Sequence, residues 1–239
     1  MQNNSGTLFI VSTPIGNLGD ITLRAIKTLF EVDFIACEDT RIAGKLLKYI
    51  KPVYETLYEK TAPQYHLLSY YEQNEKQRIP QIINSLKNGS SIALISDAGT
   101  PSISDPGFEI ARECIRENLR VVSIPGPSAS LAALTMSGLP TDKFVFVGYP
   151  PRKHGNRIKF FENLKFLRTE FKATIIMYEA PHRIIQLLSE MGEIFGDIEI
   201  VLERELTKVF EETIRGKISE LKKHFEKKTP KGEFVILFS

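Results

Sequence analysis

The strongest constraint on the fold is a regular alternation of short apolar runs and amphipathic segments in the first half of the chain. Apolar runs typical of buried strands occupy residues 8–11, 34–37, 66–69, 92–95 and 120–124. The segments between them are long enough to hold a helix that crosses from one strand to the next. Such alternation is typical of parallel β-α-β units with right-handed crossovers. We therefore expect an α/β fold whose N-terminal sheet is mostly parallel.

Helical periodicity fills several of these connections. A helix beginning near Asp20 has its apolar positions at Ala25, Ile26, Leu29 and Phe30. A short helix after the second strand carries Leu46, Leu47 and Ile50. The segment 51–64 contains two prolines and mixed polarity, so we expect a loop there. A helix over residues 75–86 would end at Asn88-Gly89, which is a typical C-terminal cap.

The most informative connection is segment 96–107, which follows the apolar run at residues 92–95. It is rich in glycine, proline and small hydroxyl residues, which let a ligand approach the backbone closely. Open α/β sheets bind ligands at the carboxyl ends of their strands, where this segment lies. Asp105 followed by Pro106 predicts the start of the next helix. One face of that helix would carry Phe108, Ala111 and Ile115.

Pro125-Gly126-Pro127 interrupts the alternation and predicts a stiff junction between two domains, residues 1–124 and 125–239. The second half has apolar runs typical of strands at residues 144–148, 173–178, 199–202 and 234–238. Helical patterns lie at residues 128–136, 157–167, 181–191 and 217–225. Because these connections are less regular, we expect a mixed sheet in the second domain.

Composition excludes some classes of protein. The 239 residues are 42% hydrophobic and 25% charged, with a net charge of +2, so the chain is not a polycation. Cys37 and Cys114 lie inside apolar patterns, which indicates buried reduced thiols rather than a metal site. The first seven residues are polar and no apolar run could cross a bilayer, so we expect a cytoplasmic protein. A solvated helix face is expected at Lys222, Lys223, Lys227 and Lys228.

Charged and polar residues follow several of the predicted strands. They are Asn17, the segment 38–41, the segment 179–183 and the segment 203–208. Since ligand loops gather at the carboxyl ends of strands, these segments favour a shared cleft. The sequence contains no Gly-x-Gly-x-x-Gly, no Gly-x-x-x-x-Gly-Lys-Ser/Thr and no Gly-x-Ser-x-Gly. These absences disfavour a dinucleotide oxidoreductase, a P-loop nucleotidase and an α/β-hydrolase.

Eight motifs occur in order from Leu8 to the end of the chain. They are Thr13–Leu18, Glu38–Arg41, Ser96–Gly107, Pro125–Ala129, Gly138–Pro140, Tyr178–Arg183, Arg204–Lys208 and Lys231–Phe234. Together they resemble the tetrapyrrole methylase family, and within it the group that methylates small-subunit ribosomal RNA. The resemblance implies a two-domain fold with S-adenosylmethionine in a cleft between the domains. It also implies a homodimer that methylates the ribose 2′-oxygen of a cytidine in the decoding centre of 16S rRNA, within the 30S subunit and without a metal.

The resemblance also assigns residues to the cofactor and to the RNA. The cofactor residues implied are Pro14, Ile15, Gly16, Asp97, Ala98, Gly99, Thr100, Pro101, Ser128, Ala129, Tyr178, Glu179 and Leu206. The residues implied for the RNA side are Asn17, Glu38, Arg41 and Arg183. Tyr71 and Gln73 stand where members of the group often carry histidine, which argues against proton transfer by that segment.

Methyl transfer to a ribose hydroxyl needs alignment of the reactants and removal of a proton. Asp39 is the candidate base, and Lys208 is the candidate for electrostatic stabilisation. The alternatives are that Asp39 pairs with Arg41 and that Lys208 is a solvated residue of a turn. The basic stretch 152–157 is predicted to be either a mobile loop that contacts RNA phosphates through Arg152, Lys153 and Arg157, or the solvated start of a helix.

Two other functions stay open at this point. One is methylation of carbon atoms in a tetrapyrrole, because the general fold does not separate substrates. The other is a non-catalytic RNA-binding module that has kept the fold.

Overall fold

The chain folds into two units, which a computed structural model describes over residues 5–227 and 229–239, without the side chain of Lys227. The first unit ends at Ser128 and the second begins at Ala129. We call them unit one and unit two. The polar residues 1–4 and the predicted surface position Lys228 lie outside the described residues.

Unit one has the alternating order that the sequence predicts. Its strands are β1 (Thr7–Val11), β2 (Phe34–Cys37), β3 (Leu67–Ser69), β4 (Ile92–Ile95) and β5 (Arg120–Ile124). Its helices are α1 (Leu23–Glu31), α2 (Thr40–Tyr58), α3 (Glu75–Lys87) and α4 (Phe108–Arg116). The strand order is β3-β2-β4-β1-β5, and each neighbouring pair is parallel, so the predicted parallel sheet is confirmed.

Helices cover both faces of this sheet because successive strand residues point to opposite sides. On one side, Val11, Ile35 and Ile95 share a core with the buried faces of α1 and α2. On the other side, Leu8 and Leu94 share a core with α3 and α4. Each fully buried aliphatic side chain contributes about 1.5–3 kcal/mol, and this two-sided burial fixes the register that brings the ligand loops to one edge.

The prediction of a loop over residues 51–64 is wrong for its first half, because α2 continues to Tyr58 through Pro52. Proline lacks the amide that would bond the preceding turn and normally interrupts a helix. Here Tyr54 is fully buried, with its ring 4.8 Å from that of Phe30 and 4.9 Å from that of Tyr58. This aromatic packing offsets the lost hydrogen bond. In addition, α1 begins at Leu23 with Thr22 as its N-cap, later than predicted.

The prediction that Asp105-Pro106 starts a helix is also wrong, because α4 begins at Phe108 with Gly107 as its N-cap. Gly107 has φ +134°, which favours glycine, and its amide donates to Glu75 Oε1 over 3.2 Å. Phe108 and Ile115 are exposed, while the buried positions of α4 are Ile110 and Cys114.

Unit two has the mixed sheet that the sequence predicts. Its strands are β6 (Phe144–Phe146), β7 (Thr174–Glu179), β8 (Glu199–Arg204), β9 (Glu212–Lys217) and β10 (Phe234–Phe238). Its helices are α5 (Ala129–Ser137), α6 (His154–Phe171), α7 (Ile184–Phe195) and α8 (Ile218–Lys227). The strand order is β6-β7-β10-β8-β9, in which β6 and β7 are parallel and the other pairs are antiparallel.

Two elements of unit two differ from the prediction. Strand β9 was not predicted, because its sequence Glu-Thr-Ile-Arg-Gly-Lys is polar and it lies at the edge of the sheet. Helix α6 begins at His154, so residues 154–157 form its first turn and the predicted mobile loop there is wrong. The cause is a buried ion pair described below, which fixes Arg157 against α7.

Cys37 and Cys114 are both buried and free of disulfides, as predicted. Burial is the largest factor that raises the pKa of Cys37 to about 12 and that of Cys114 to about 11. Among the described residues, each helix is too short or too polar to cross a membrane.

Candidate active site

The loops after β1 and β4 are joined at the carboxyl edge of the sheet in unit one. The Thr13 amide donates to the Gly99 carbonyl over 2.8 Å, and the Gly99 amide donates to the Thr13 carbonyl over 3.1 Å. The Thr13 side chain is buried, and its hydroxyl donates to the Ser96 carbonyl over 3.3 Å. Two segments that the sequence assigns to the cofactor are therefore held side by side.

The loop after β5 joins the same cluster. The Ser12 and Thr100 hydroxyl oxygens lie 2.9 Å apart, and the Thr100 hydroxyl donates to the Pro127 carbonyl over 3.1 Å. The backbone of Gly126 approaches Ser12 so closely that a Cβ at position 126 would lie 2.9 Å from the Ser12 Cβ. We call these segments, residues 12–17, 96–101 and 125–128, the three-loop cluster.

The outer surface of the three-loop cluster consists of small residues and one acid. Gly16, Asn17, Asp97 and Ala98 are exposed, whereas Pro14, Ile15, Gly99 and Pro101 are buried behind them. Gly99 has φ +83°, which side-chain-bearing residues rarely adopt, and a Cβ there would lie 3.4 Å from Ile15 Cγ2. The cluster therefore presents backbone groups to a ligand with little steric obstruction.

Carboxylates connect the loops after β2 and β4. The Asp97 amide donates to Glu38 Oε2 over 3.5 Å, and the Asp39 amide donates to Asp97 Oδ1 over 3.2 Å. Burial, followed by repulsion from Asp105 and Asp97, raises the pKa of Glu38 from 4.5 to about 7. Glu38 can therefore take up a proton near neutral pH.

Asp39 has the opposite character. Asp39 is the N-cap of α2, and its Oδ1 accepts a hydrogen bond from the Arg41 amide over 2.8 Å. The Arg41 guanidinium donates to both of its carboxylate oxygens. These hydrogen bonds hold the pKa of Asp39 well below its usual range. Such a weakly basic carboxylate is a poor proton acceptor, so the structure argues against the predicted base and favours its neighbour Glu38.

In unit two, a buried carboxylate ends β7. Glu179 is 2% exposed; its Oε1 accepts the Ala180 amide over 2.8 Å and lies 3.1 Å from Arg183 Nε. Its Oε2 is buried without a hydrogen-bond partner among the described residues. Burial raises the pKa of Glu179. The preceding Tyr178 packs between the rings of Phe146 and Tyr149.

Lys208 lies between two carboxylates. Its Nζ donates to Glu205 Oε1 and to Glu233 Oε2, each over 3.0 Å, and these partners raise its pKa against the effect of burial. The turn that contains it is strained, since Glu205 and Thr207 have φ +52° and +64°. With its charge compensated twice, Lys208 is poorly suited to the predicted electrostatic role and instead joins the side chains of Glu205 and Glu233.

Arg157 cannot be the predicted exposed RNA contact, because it is 3% exposed. Its Nη2 donates to Glu190 Oε1 over 2.6 Å, and its Nε donates to Glu190 Oε2. Glu190 is 4% exposed, and Arg157 lowers its pKa to about 2. Arg152 and Lys153 are exposed, as an RNA contact requires.

Sequence reasoning missed four residues that shape these loops: Ser12, Glu75, Glu190 and Glu233. Glu75 accepts hydrogen bonds from Tyr70 and from the Gly107 amide, which gives segment 70–75 a structural role. Glu233 belongs to a motif that was noted, but its bond to Lys208 depends on two distant segments meeting. No pattern in the sequence around Glu190 indicates that it pairs with Arg157, which lies 33 residues away in the chain. Within the described residues, acidic, histidine and cysteine side chains do not group into a metal site.

Comparison with known proteins gives a consistent result. Residues 7–222 match the family model described as Tetrapyrrole (Corrin/Porphyrin) Methylases. A Thermotoga maritima protein named Ribosomal RNA small subunit methyltransferase I is 46% identical over 98% of both chains. A Mesorhizobium japonicum protein of the same name is 45% identical over 96% of this chain and 74% of its own length.

Solved structures share the fold at low sequence identity. A cobalt precorrin-4 methyltransferase of cobalamin biosynthesis matches with a TM-score of 0.68 at 15% identity, over 97% of this chain and 94% of its own. A diphthine synthase matches with a TM-score of 0.66 at 17% identity, over 98% and 90% of the two chains. The order of motifs, the two α/β units and these matches show that the chain belongs to the tetrapyrrole methylase family.

Proposed function

We propose that this protein is an S-adenosylmethionine-dependent methyltransferase of small-subunit ribosomal RNA, and that it methylates the ribose 2′-oxygen of a cytidine in the decoding centre of 16S rRNA. The observation that carries the proposal is the 46% identity, over 98% of both chains, to a protein named Ribosomal RNA small subunit methyltransferase I. The motif resemblance supports the finer assignment of the ribose oxygen.

The residues present fit S-adenosylmethionine. The three-loop cluster exposes backbone beside Gly99, which suits a ligand that must lie close to the chain. Among the described residues the buried Glu179 Oε2 has no hydrogen-bond partner, and the amino groups of the cofactor would supply one. When bound, the cofactor supplies a methyl group on a positively charged sulfur. We propose Pro14–Gly16, Asp97–Pro101, Ser128-Ala129, Tyr178-Glu179 and the backbone near Leu206 as its contacts.

The protein's contribution to this reaction is alignment and removal of one proton. Holding the hydroxyl in line with the methyl group can lower the barrier by up to about 7–11 kcal/mol. Transfer of the methyl group from the cofactor's sulfur to the 2′-oxygen would require the hydroxyl proton to leave to a base of this chain. We propose Glu38 as that base, since its raised pKa lies near neutrality. Asn17 and Arg41 stay proposed RNA contacts at the same edge.

A methyl-transfer assay tests the proposal. Wild-type protein is incubated with methyl-labelled S-adenosylmethionine and either 30S subunits that lack the modification or a tetrapyrrole precursor. We expect label on one cytidine ribose of 16S rRNA and none on the tetrapyrrole. Label on the tetrapyrrole alone would identify a carbon methylase. Binding of 30S subunits without any transfer would indicate a non-catalytic module. We also propose that the protein is a homodimer, which light scattering of the purified protein alone tests.

A further inference from the structure

Two arginines hold the backbone of residues 150–153, which we call the anchored segment. Arg183 Nη2 donates to the Pro150 carbonyl over 2.8 Å. Arg157 Nη1 donates to the Pro151 carbonyl over 3.2 Å and to the Arg152 carbonyl over 2.9 Å. Three consecutive carbonyls are thus bound by guanidinium groups. The two prolines also fix the backbone angle φ, which limits the conformations of the segment further.

Both arginines are themselves fixed by buried carboxylates. Arg157 and Glu190 form an ion pair whose side chains are 4% and 5% exposed. Gln186 Nε2 donates to Glu190 Oε1 over 3.0 Å, and His154 Nδ1 lies 2.8 Å from the same oxygen. Arg183 Nε lies 3.1 Å from Oε1 of the buried Glu179, which makes an ion pair, although this Nε has no hydrogen-bond partner among the described residues. Such a network is much more extensive than a short surface connection between a strand and a helix needs.

The anchored segment exposes two positively charged side chains to solvent. Arg152 and Lys153 are exposed, whereas the charges of Arg157 and Arg183 face glutamates behind them. The first turn of α6, which follows directly, contains no acidic residue. The positive charge offered to solvent at this place therefore comes from two side chains on a backbone that is already ordered.

We propose that the anchored segment is a preorganised phosphate-contact element for RNA, in which Arg152 and Lys153 bind phosphates while Arg157 and Arg183 are positioning residues. The inference rests on the proposed function and deepens it by assigning part of the RNA contact. Ordering a flexible basic loop on binding costs conformational entropy, and a segment fixed beforehand avoids that cost. Arginine suits the positioning role because its planar fork can bond two carbonyls and a carboxylate together.

The test measures the affinity for 30S subunits as a function of salt concentration. The double variant Arg152→Ala/Lys153→Ala removes two phosphate contacts, so the slope of log affinity against log salt should fall by about 1.4–1.8. Arg157→Lys keeps the charge beside Glu190 but loses the fork. We expect it to weaken binding about tenfold while the dissociation constant for S-adenosylmethionine stays unchanged. Gln186→Ala, which removes a hydrogen bond to Glu190 Oε1, provides a second variant of the anchoring network if Arg157→Lys fails to fold.

A matched control separates anchoring from general stability. Arg215 also donates to two consecutive carbonyls in unit two, those of Met136 and Ser137, but far along the chain from the anchored segment. Arg215→Lys should leave the affinity for 30S subunits unchanged.

A double-mutant cycle gives the decisive result. If Arg157 acts only by positioning the two cations, Arg157→Lys should cause no further loss of affinity in the Arg152→Ala/Lys153→Ala background. An additive loss would overturn the positioning role. Wild-type affinity in Arg152→Ala/Lys153→Ala would overturn the contact itself. The methyl-transfer assay with the wild-type enzyme tests the proposed function independently of these variants. Label on 16S rRNA would support the proposed function whatever the variants show, and no label would reject it.

Discussion

The two units hold their loops by different means. In unit one, the three-loop cluster is tied by backbone and hydroxyl hydrogen bonds such as the Thr13–Gly99 pair, and glycine allows the close approaches. In unit two, charged side chains stabilise the loops: Arg157 and Lys208 each form ion pairs with carboxylates. This difference shows that a basic residue in a predicted loop of unit two can stabilise the fold through buried or paired carboxylates instead of contacting the substrate. We call such a residue a framework residue.

The largest effect should come from removing the carboxylate behind the anchored segment. Glu190→Ala leaves Arg157 buried without its counter-ion, so the free energy of unfolding should fall by about 3–5 kcal/mol in urea denaturation. The exposed pair Glu109–Arg112 provides the control, and Glu109→Ala should cost less than about 1 kcal/mol. Equal effects would show that the ion pair of unit two is not a framework element.

A smaller loss should follow substitution of Gly232, which precedes the Glu233 that binds Lys208. Gly232 has φ +87°, and a Cβ there would lie 2.5 Å from Glu205 Cγ. Gly232→Ala should therefore strain the backbone, displace Glu205 from Lys208 and cost about 2 kcal/mol of unfolding free energy. Gly155→Ala, in the first turn of α6, should not destabilise the fold, because among the described residues the added carbon meets no atom within 4 Å apart from its chain neighbours and the backbone of its own helix. If Gly232→Ala were as stable as the wild type, the contact between Glu205 and Lys208 would not stabilise the fold.

The units should also respond to pH with opposite sign. The pKa of Glu190 is lowered from 4.5 to about 2, so its stabilisation is complete above pH 4.5 and is lost as the pH falls toward 2. The pKa of Glu38 is raised from 4.5 to about 7, so the folded state keeps its proton longer than the unfolded chain and the free energy of unfolding falls as the pH rises from 4.5 to about 7. Glu38→Gln should accordingly stabilise the protein at pH 8, by about 1 kcal/mol given its partial exposure, and have little effect at pH 4. A stabilisation that does not depend on pH would contradict the raised pKa.

The smallest effect is expected at the exposed ion pair of unit one. The Arg41 side chain is 85% exposed, so its bond to Asp39 competes with water. Arg41→Ala should lower the melting temperature by less than about 4 °C, in contrast to Glu190→Ala. A large loss of stability would show that this exposed ion pair helps to hold the loops of unit one together, as the carboxylates of Glu38 and Asp97 do.

The sequence predicts unit one better than unit two for physical reasons. A four-residue apolar run such as Ile92–Ile95, which is buried on both faces, is typical of a central strand in a parallel sheet and is therefore predicted correctly. The edge strand β9 has no such signature, and the helix through Pro52 depends on aromatic packing that local propensity does not contain. The family motifs indicate which segments form the candidate site. They do not distinguish an arginine that contacts a substrate from one that is bonded to Glu190, since that bond joins two helices distant in sequence.

Calorimetric titration with S-adenosylmethionine tests most directly whether the three-loop cluster of unit one binds the cofactor. Gly99→Ala places a side chain where φ is +83° and at 3.4 Å from Ile15, in the middle of the cluster. Wild-type protein, Gly155→Ala and Arg152→Ala/Lys153→Ala should bind with the same affinity, while Gly99→Ala, checked by melting to be folded, should bind at least about tenfold more weakly. Wild-type affinity in folded Gly99→Ala would contradict the account.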